Sequence, residues 1–300
     1  MRRCTAVAVG LLVLAALGAG QGPAAETDAA PRAGLKSIAD RLACSSLCQA
    51  KQGFEKAAPV IAGMGFRWVD LSALSWAPHV SVAALAEDFE REAGRVESIL
   101  AANKLAVANF TFDAPDSGPF EVYAPQFELL AKLAARWKVR LINVMAPAAA
   151  ADRQEAVRRL RELEVTARRH GVLLSVETHC NQLTELPRDA AWLCREVPGL
   201  GVTLDPSHYY AGPNQGAAFD ELYPLAYGTG LRAGGMSWAE IHLPWGAGCI
   251  DFAEVVRKLQ AAGYAGFYAA EYIEGFNEVD AVEQSRRFLD WGRSLGAAAE

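Results

Sequence analysis

No CxxC pair occurs in this sequence, so a zinc knuckle or a thioredoxin-type redox site is excluded. No GxGxxG follows an early strand pattern, which argues against a dinucleotide-binding open sheet. Positive charge is not in excess. The net formal charge of −6 is the opposite of the basic face that a general nucleic-acid binder carries. Histidine is scarce, at five residues, which counts against a site built on several clustered metals. Low-complexity tracts and short repeats are missing. What is abundant is apolar character: 52% of the 300 residues are hydrophobic, enough for one large core. An α/β barrel of this length is commonly a single domain.

The first 25 residues differ from the rest. Met1-Arg2-Arg3 is basic, Cys4 to Gly20 is almost wholly apolar, and small residues follow. This is the pattern of a secretory signal peptide. Residues 1–25 are therefore expected to be an export signal, 26–39 a linker and 40–296 the folded domain. The mature protein would be periplasmic or extracellular, with no stable membrane insertion after cleavage. A retained N-terminal anchor is the alternative, since the apolar run sits at the lower limit for a span. Five cysteines remain after cleavage. Cys44 and Cys48 are close enough to suspect a bridge in an oxidising compartment, though small buried thiols are the simpler reading.

From residue 40 onward, strand and helix patterns alternate eight times. The strands are expected at 41–48, 66–71, 105–111, 140–145, 172–177, 201–205, 238–243 and 266–271. One long helix is expected from Ser81 to near Asn103. Eight such alternations imply a parallel sheet and the number that closes a (β/α)8 barrel. An open doubly wound sheet is the alternative.

Four residues of metal-ligand type then stand where strands end: Glu177 in LLSVETH, Asp205 in GVTLDPSH, His242 in WAEIHLP and Glu271 in FYAAEYIE. Their separations of 28, 37 and 29 residues are close to the roughly 31 that such a barrel spends on each strand–helix unit. Parity supports the placement, because strand side chains alternate between faces. Leu173 and Ser175 share a face with Glu177, while Val172, Leu174 and Val176 take the other. The set suits one divalent ion, Mn, Mg, Zn or Co, without choosing among them. Glu177 and Glu271, from opposite sides of the mouth, can also serve as an acid/base pair. Each residue has a plainer reading too: Asp205 as a helix cap before Pro206, His242 as a hydrogen-bonded core histidine.

ETH, LDPSH, IH followed by GAGCIDF, and GFYAAEY resemble the sugar phosphate isomerase/epimerase superfamily, the xylose isomerase-like TIM barrels. The resemblance covers roughly 40–295 and is specific from 172 to 273. It implies a metal-dependent isomerase, epimerase or related dehydratase or lyase that works through an enediolate. It also implies Glu177, Asp205, His242 and Glu271 as ligands, Glu177 and Glu271 as the proton-transfer pair, and His208 on substrate oxygens. The chain departs from that pattern after strand 7. Pro244-Trp245 stands where many members have Lys-Asp, and Gly248 where the epimerases place an arginine.

His179 shares the face of Glu177, and His79, Trp76 and Trp245 lie in loops that could line the pocket. The loops after strands 7 and 8 hold no cation, so an unphosphorylated sugar, polyol or glycoside is the expected substrate. Arg188 and Arg232 are the nearby exceptions. The expected partner is this small carbohydrate and not nucleic acid, and a homo-oligomer is compatible. Two other functions stay open: a non-catalytic carbohydrate-binding barrel, and an endonuclease IV-type phosphodiesterase.

Overall fold

The structure, a computed structural model, describes residues 37–297. The expected export signal and most of the expected linker lie outside the described residues. The strands are β1 (Leu42–Ser45), β2 (Trp68–Ser72), β3 (Ala106–Phe112), β4 (Leu141–Val144), β5 (Leu173–Glu177), β6 (Leu200–Leu204), β7 (Ala226–Leu231) and β8 (Tyr268–Ala270). All neighbours pair in parallel, and β1 pairs with β8 to close the barrel. The helices are α1 (Phe54–Gly63), α2 (Val82–Glu87), α3 (Phe89–Asn103), α4 (Phe120–Trp137), α5 (Arg153–Arg169), α6 (Pro187–Glu196), α7 (Pro206–Ala211), α8 (Phe252–Ala261) and α9 (Ala281–Ala297). Among the described residues no helix is long and apolar enough to cross a membrane.

Alternation decides what each strand buries. Leu71, Phe110, Phe112, Ile142, Val144, Leu174, Val176, Val202 and Leu204 are each at most 1% exposed and belong to one continuous core. These residues face the helical shell. Many inward positions carry small or polar side chains instead, while Leu141 reaches into the lumen against Gly228. Asp70, Asn109, Thr111, Asn143, Ser175 and Thr203 are buried and polar. They are linked by Thr111 donating to Asp70 (3.2 Å), Ser175 to Asn143 (3.4 Å), and a 2.7 Å bond between Ser175 and Thr203.

Three elements differ from the sequence expectation. The strand expected over 41–48 stops at Ser45, whose side chain accepts from Leu47 N and starts a 3-10 turn. The helix expected from Ser81 to Asn103 breaks at Asp88. That residue is extended (φ −155°), and its carboxylate caps α3 by accepting from Arg91 N. The largest change is strand 7. It was expected at 238–243 and runs over Ala226–Leu231, while Trp238–Glu240 is a 3-10 turn in the loop that follows. The true strand reads AYGTGL, and its two glycines mask it, because glycine is depleted in strands. Gly228 and Gly230 serve close packing: a Cβ on Gly228 would lie 2.7 Å from Leu141 and 2.8 Å from Thr203 Oγ1.

Candidate active site

The C-terminal ends of four consecutive strands present Glu177, Asp205, Arg232 and Glu271. Glu177 is the last residue of β5, and the others directly follow β6, β7 and β8. Glu177, Arg232 and Glu271 line a cavity of about 250 Å³ together with His179, His208 and His242. Its rim carries Trp76 (56% exposed), Trp238 (46% exposed) and Phe276. A second cavity of similar volume opens at the other end of the barrel beside Arg140, Tyr227 and Tyr264. It holds no pair of carboxylates.

Asp205 is both a helix cap and a site residue. Its Oδ1 accepts from Ser207 N (2.8 Å) and Ser207 Oγ (2.7 Å), at the start of α7. Its Oδ2 faces Arg232 Nη2 at 2.5 Å. Arg232 is only 3% exposed, and all three of its nitrogens are engaged. Nε donates to Ser207 Oγ (3.0 Å), Nη2 also reaches His208 Nε2 (2.5 Å), and Nη1 lies 3.5 Å from Glu271 Oε1.

These contacts fix the histidines. A guanidinium only donates, so His208 Nε2 is the acceptor and its proton sits on Nδ1. That Nδ1 is 3.1 Å from Cys180 Sγ. Burial, helped by the charge of neighbouring Arg232, holds His208 neutral, well below the usual histidine range. His179 Nδ1 donates to the Cys180 carbonyl (2.5 Å), which leaves Nε2 with a lone pair. Burial lowers its pKa to about 4. The two rings lie 3.7 Å apart, centroid to centroid.

The carboxylates are shifted the other way. Burial first, then the negative charges of Glu271 and Asp205, push Glu177 well above the ordinary range. Asn143 Nδ2 donates to its Oε2 at 3.4 Å. Burial also raises Glu271, against the pull of Arg232, to about 7. Asp205 is raised by burial, and Arg232 offsets part of that rise.

Not every residue expected at the site is there. His242 lies in the loop after β7 rather than at its end. It still lines the cavity, edge-on to Tyr272 and against Phe276, and its Nδ1 is buried with no hydrogen-bond partner. Tyr272 holds the neck of that loop, accepting from Ala233 N and donating to the Leu243 carbonyl, both at 3.0 Å. His79 stands outside the cavity, with Nε2 on the Gln52 carbonyl (3.1 Å) and its ring against Phe54. Trp245 also stands outside, packed between Phe252, Phe288 and Trp291. Glu240 is exposed, and His170 caps the end of α5. Cys44 and Cys48 are fully buried free thiols with sulfurs 3.7 Å apart. Cys180, Trp238 and Asn143 were not singled out in the sequence, although Cys180 directly follows the ETH motif.

A group that could hold an ion does exist: Glu177, Asp205 and His208 offer ligand atoms within 4.8 Å of one another. The test of fit is what already stands between them. Arg232 Nη2 is 2.5 Å from both Asp205 Oδ2 and His208 Nε2, the atoms an ion would need at roughly 2.0–2.2 Å. With Arg232 in this position the residues do not fit a divalent ion.

The profile of the xylose isomerase-like TIM barrel matches residues 59–291. No curated protein matches the chain in sequence. Solved structures with the same fold include a xylose isomerase-like TIM barrel protein from Mycobacterium smegmatis in complex with magnesium, at 17% identity and TM-score 0.70, covering 86% of this chain and 99% of that one. The probable 3-DHS dehydratase of Bacillus anthracis is 20% identical with TM-score 0.65, covering 83% and 97%. The 3-keto-D-glucoside 4-epimerase of E. coli is 18% identical with TM-score 0.64, covering 85% and 99%.

Proposed function

Since the chain belongs to the xylose isomerase-like TIM barrel family, we propose that it moves a proton on a small hydroxylated carbonyl compound, as an isomerase, epimerase or related dehydratase. The observation that carries this reading is the pair Glu177 and Glu271, two buried carboxyls on one cavity, Glu177 pushed well above the ordinary carboxyl range by burial and Glu271 raised to about 7. A binding pocket has no need of two such groups. Proton transfer does, because an acid or base works best with a pKa near the working pH.

Glu271 is the base. Its carboxylate takes the proton from the carbon next to the substrate carbonyl, and the C–H electron pair becomes the enediolate C=C bond as charge moves onto the carbonyl oxygen. Glu177, held protonated, returns a proton to carbon, or to a leaving hydroxyl when water is lost. His179 Nε2 accepts a substrate hydroxyl. The substrate is an unphosphorylated sugar, or a polyol or glycoside that carries a carbonyl, because Arg232, the one cation lining the cavity among the described residues, is already engaged by Asp205, Ser207 and His208. We take residues 1–25 as an export signal, so this substrate is met outside the cytosol. The divalent ion suggested by the sequence would require Arg232 to leave the position it holds.

The exposed rim tryptophans, Trp76 and Trp238, favour a second reading, a barrel that binds carbohydrate without turnover. Incubation of free sugars and glycosides with the protein in D₂O separates the two. Deuterium at a carbon-bound position supports proton transfer. A bound but unlabelled sugar supports the binding protein.

A further inference from the structure

We propose that Arg232 is the resident cation of this site, standing where a divalent ion would otherwise stand, so that the protein works without a metal. Three observations carry this. Nη2 occupies the point common to Asp205 Oδ2 and His208 Nε2, at 2.5 Å from each. The charge is built in: Arg232 is 3% exposed, its Nε is fixed by Ser207, and its Nη1 faces Glu271. The third observation is that the residues around the guanidinium suit it rather than an ion. His208 is turned so that its lone pair accepts from Arg232 and its Nδ1–H points to Cys180. Gly230, at an inward position near the end of β7, has no side chain to offer, and a Cβ there would lie 1.9 Å from Glu271 Oε2. The end of β7 thus supplies room and a guanidinium but no ligand.

The chemistry follows from the charge balance. Three buried carboxyls converge here, and the one buried positive charge among them offsets part of the rise that burial imposes on Asp205. A fixed guanidinium is also a preorganised donor for oxygen that gains negative charge during reaction. Arginine is suited to this because it keeps its charge when buried.

The inference rests on the proposed proton transfer only for what the cation does. Its metal test does not depend on that reading. Mn²⁺ is titrated into the purified full-length protein and into Arg232→Ala, with calorimetry and the Mn²⁺ EPR signal as readouts. The expected result is no binding to the wild-type protein at micromolar Mn²⁺ and one ion bound at least tenfold tighter by Arg232→Ala. Stoichiometric micromolar binding by the wild type, abolished in Asp205→Asn, overturns the proposal whether or not Arg232→Ala folds. If turnover is found, excess chelator should leave it unchanged; loss that Mn²⁺ restores would equally overturn it. Failure to find any deuterium exchange defeats the proposed function and leaves the metal result standing.

Discussion

Gly230 lies directly beneath Glu271: a Cβ at position 230 would come within 1.9 Å of Glu271 Oε2. The carboxylate can hold its place only because β7 carries no side chain there. Gly230→Ala is therefore expected to displace Glu271 and lower turnover by about 10²-fold, the usual contribution of a positioned base. Crowding of this kind costs roughly 1–3 kcal/mol. Thermal melting of the variant alongside its kinetics checks that the fold survives while activity falls.

Glu177→Gln and Glu271→Gln should each lower kcat by about 10²-fold or more with little change in fold. The pH profile distinguishes their roles. With Glu271 titrating near 7 and acting as the base, kcat/KM of the wild type rises with pH up to about 7. It falls again at higher pH as Glu177 loses its proton. Full activity in both variants would remove the two-carboxyl mechanism.

Asp70 offers a test that is independent of catalysis. It is 9% exposed, Thr111 is its hydrogen-bond donor, and burial raises its pKa from 3.8 to about 6. The folded state therefore binds this proton more tightly than the unfolded state does. The residue costs nothing below pH 3.8, and its penalty grows as pH rises and is complete above about 6. Asp70→Asn keeps an acceptor for Thr111 and removes the charge. It should stabilise the protein by about 3 kcal/mol at pH 8 and by almost nothing at pH 3.5, read by denaturant melts at both pH values.

A paired comparison of free sugars with their phosphates checks the substrate class. Arg232 is committed to Asp205, Ser207 and His208, and Arg188 does not line the cavity. The unphosphorylated member of each pair should be preferred in kcat/KM. A tenfold preference for the phosphate, about 1.4 kcal/mol, would defeat this expectation.

N-terminal sequencing of protein from the native host should find a mature chain starting between about residues 20 and 27, on the pattern of the apolar run. Intact Met1 in the cytosolic fraction would refute export.

The barrel was legible because its pattern is carried by many residues at once. Leu174 and Val176 against Ser175 and Glu177 announce one buried and one inward face without reference to any neighbour. Glu177, Asp205 and Glu271 could be placed at strand ends for the same reason, each closing a well-formed strand pattern. Strand 7 was not legible. Its inward positions, Gly228 and Gly230, are set by Thr203 and Glu271 on the neighbouring strands and by Leu141 across the barrel, and no local propensity encodes that. Misplacing the strand put His242 where Arg232 belongs. The spacing held a clue, since Asp205 to Arg232 is 27 residues, closer to the Glu177–Asp205 interval of 28 than the 37 to His242. His79 and Trp245 stand outside the cavity they are expected to line, because loop position alone does not say which way a side chain turns.

The hydrogen-bonded lumen divides labour within the fold. Asn143, Ser175 and Thr203 give the staves little apolar surface to share on the inside, so the grip that keeps them together comes from their outward faces against the helices. Trimming Phe110, Val176 or Leu204 should therefore register first as a lower melting temperature. Exchanging Thr203 for valine or Ser175 for alanine should register first in the ionisation of Glu177, which Asn143 connects to that chain. The lumen is free to change with the chemistry because strand pairing and the outward packing, and not the lumen side chains, hold the barrel together.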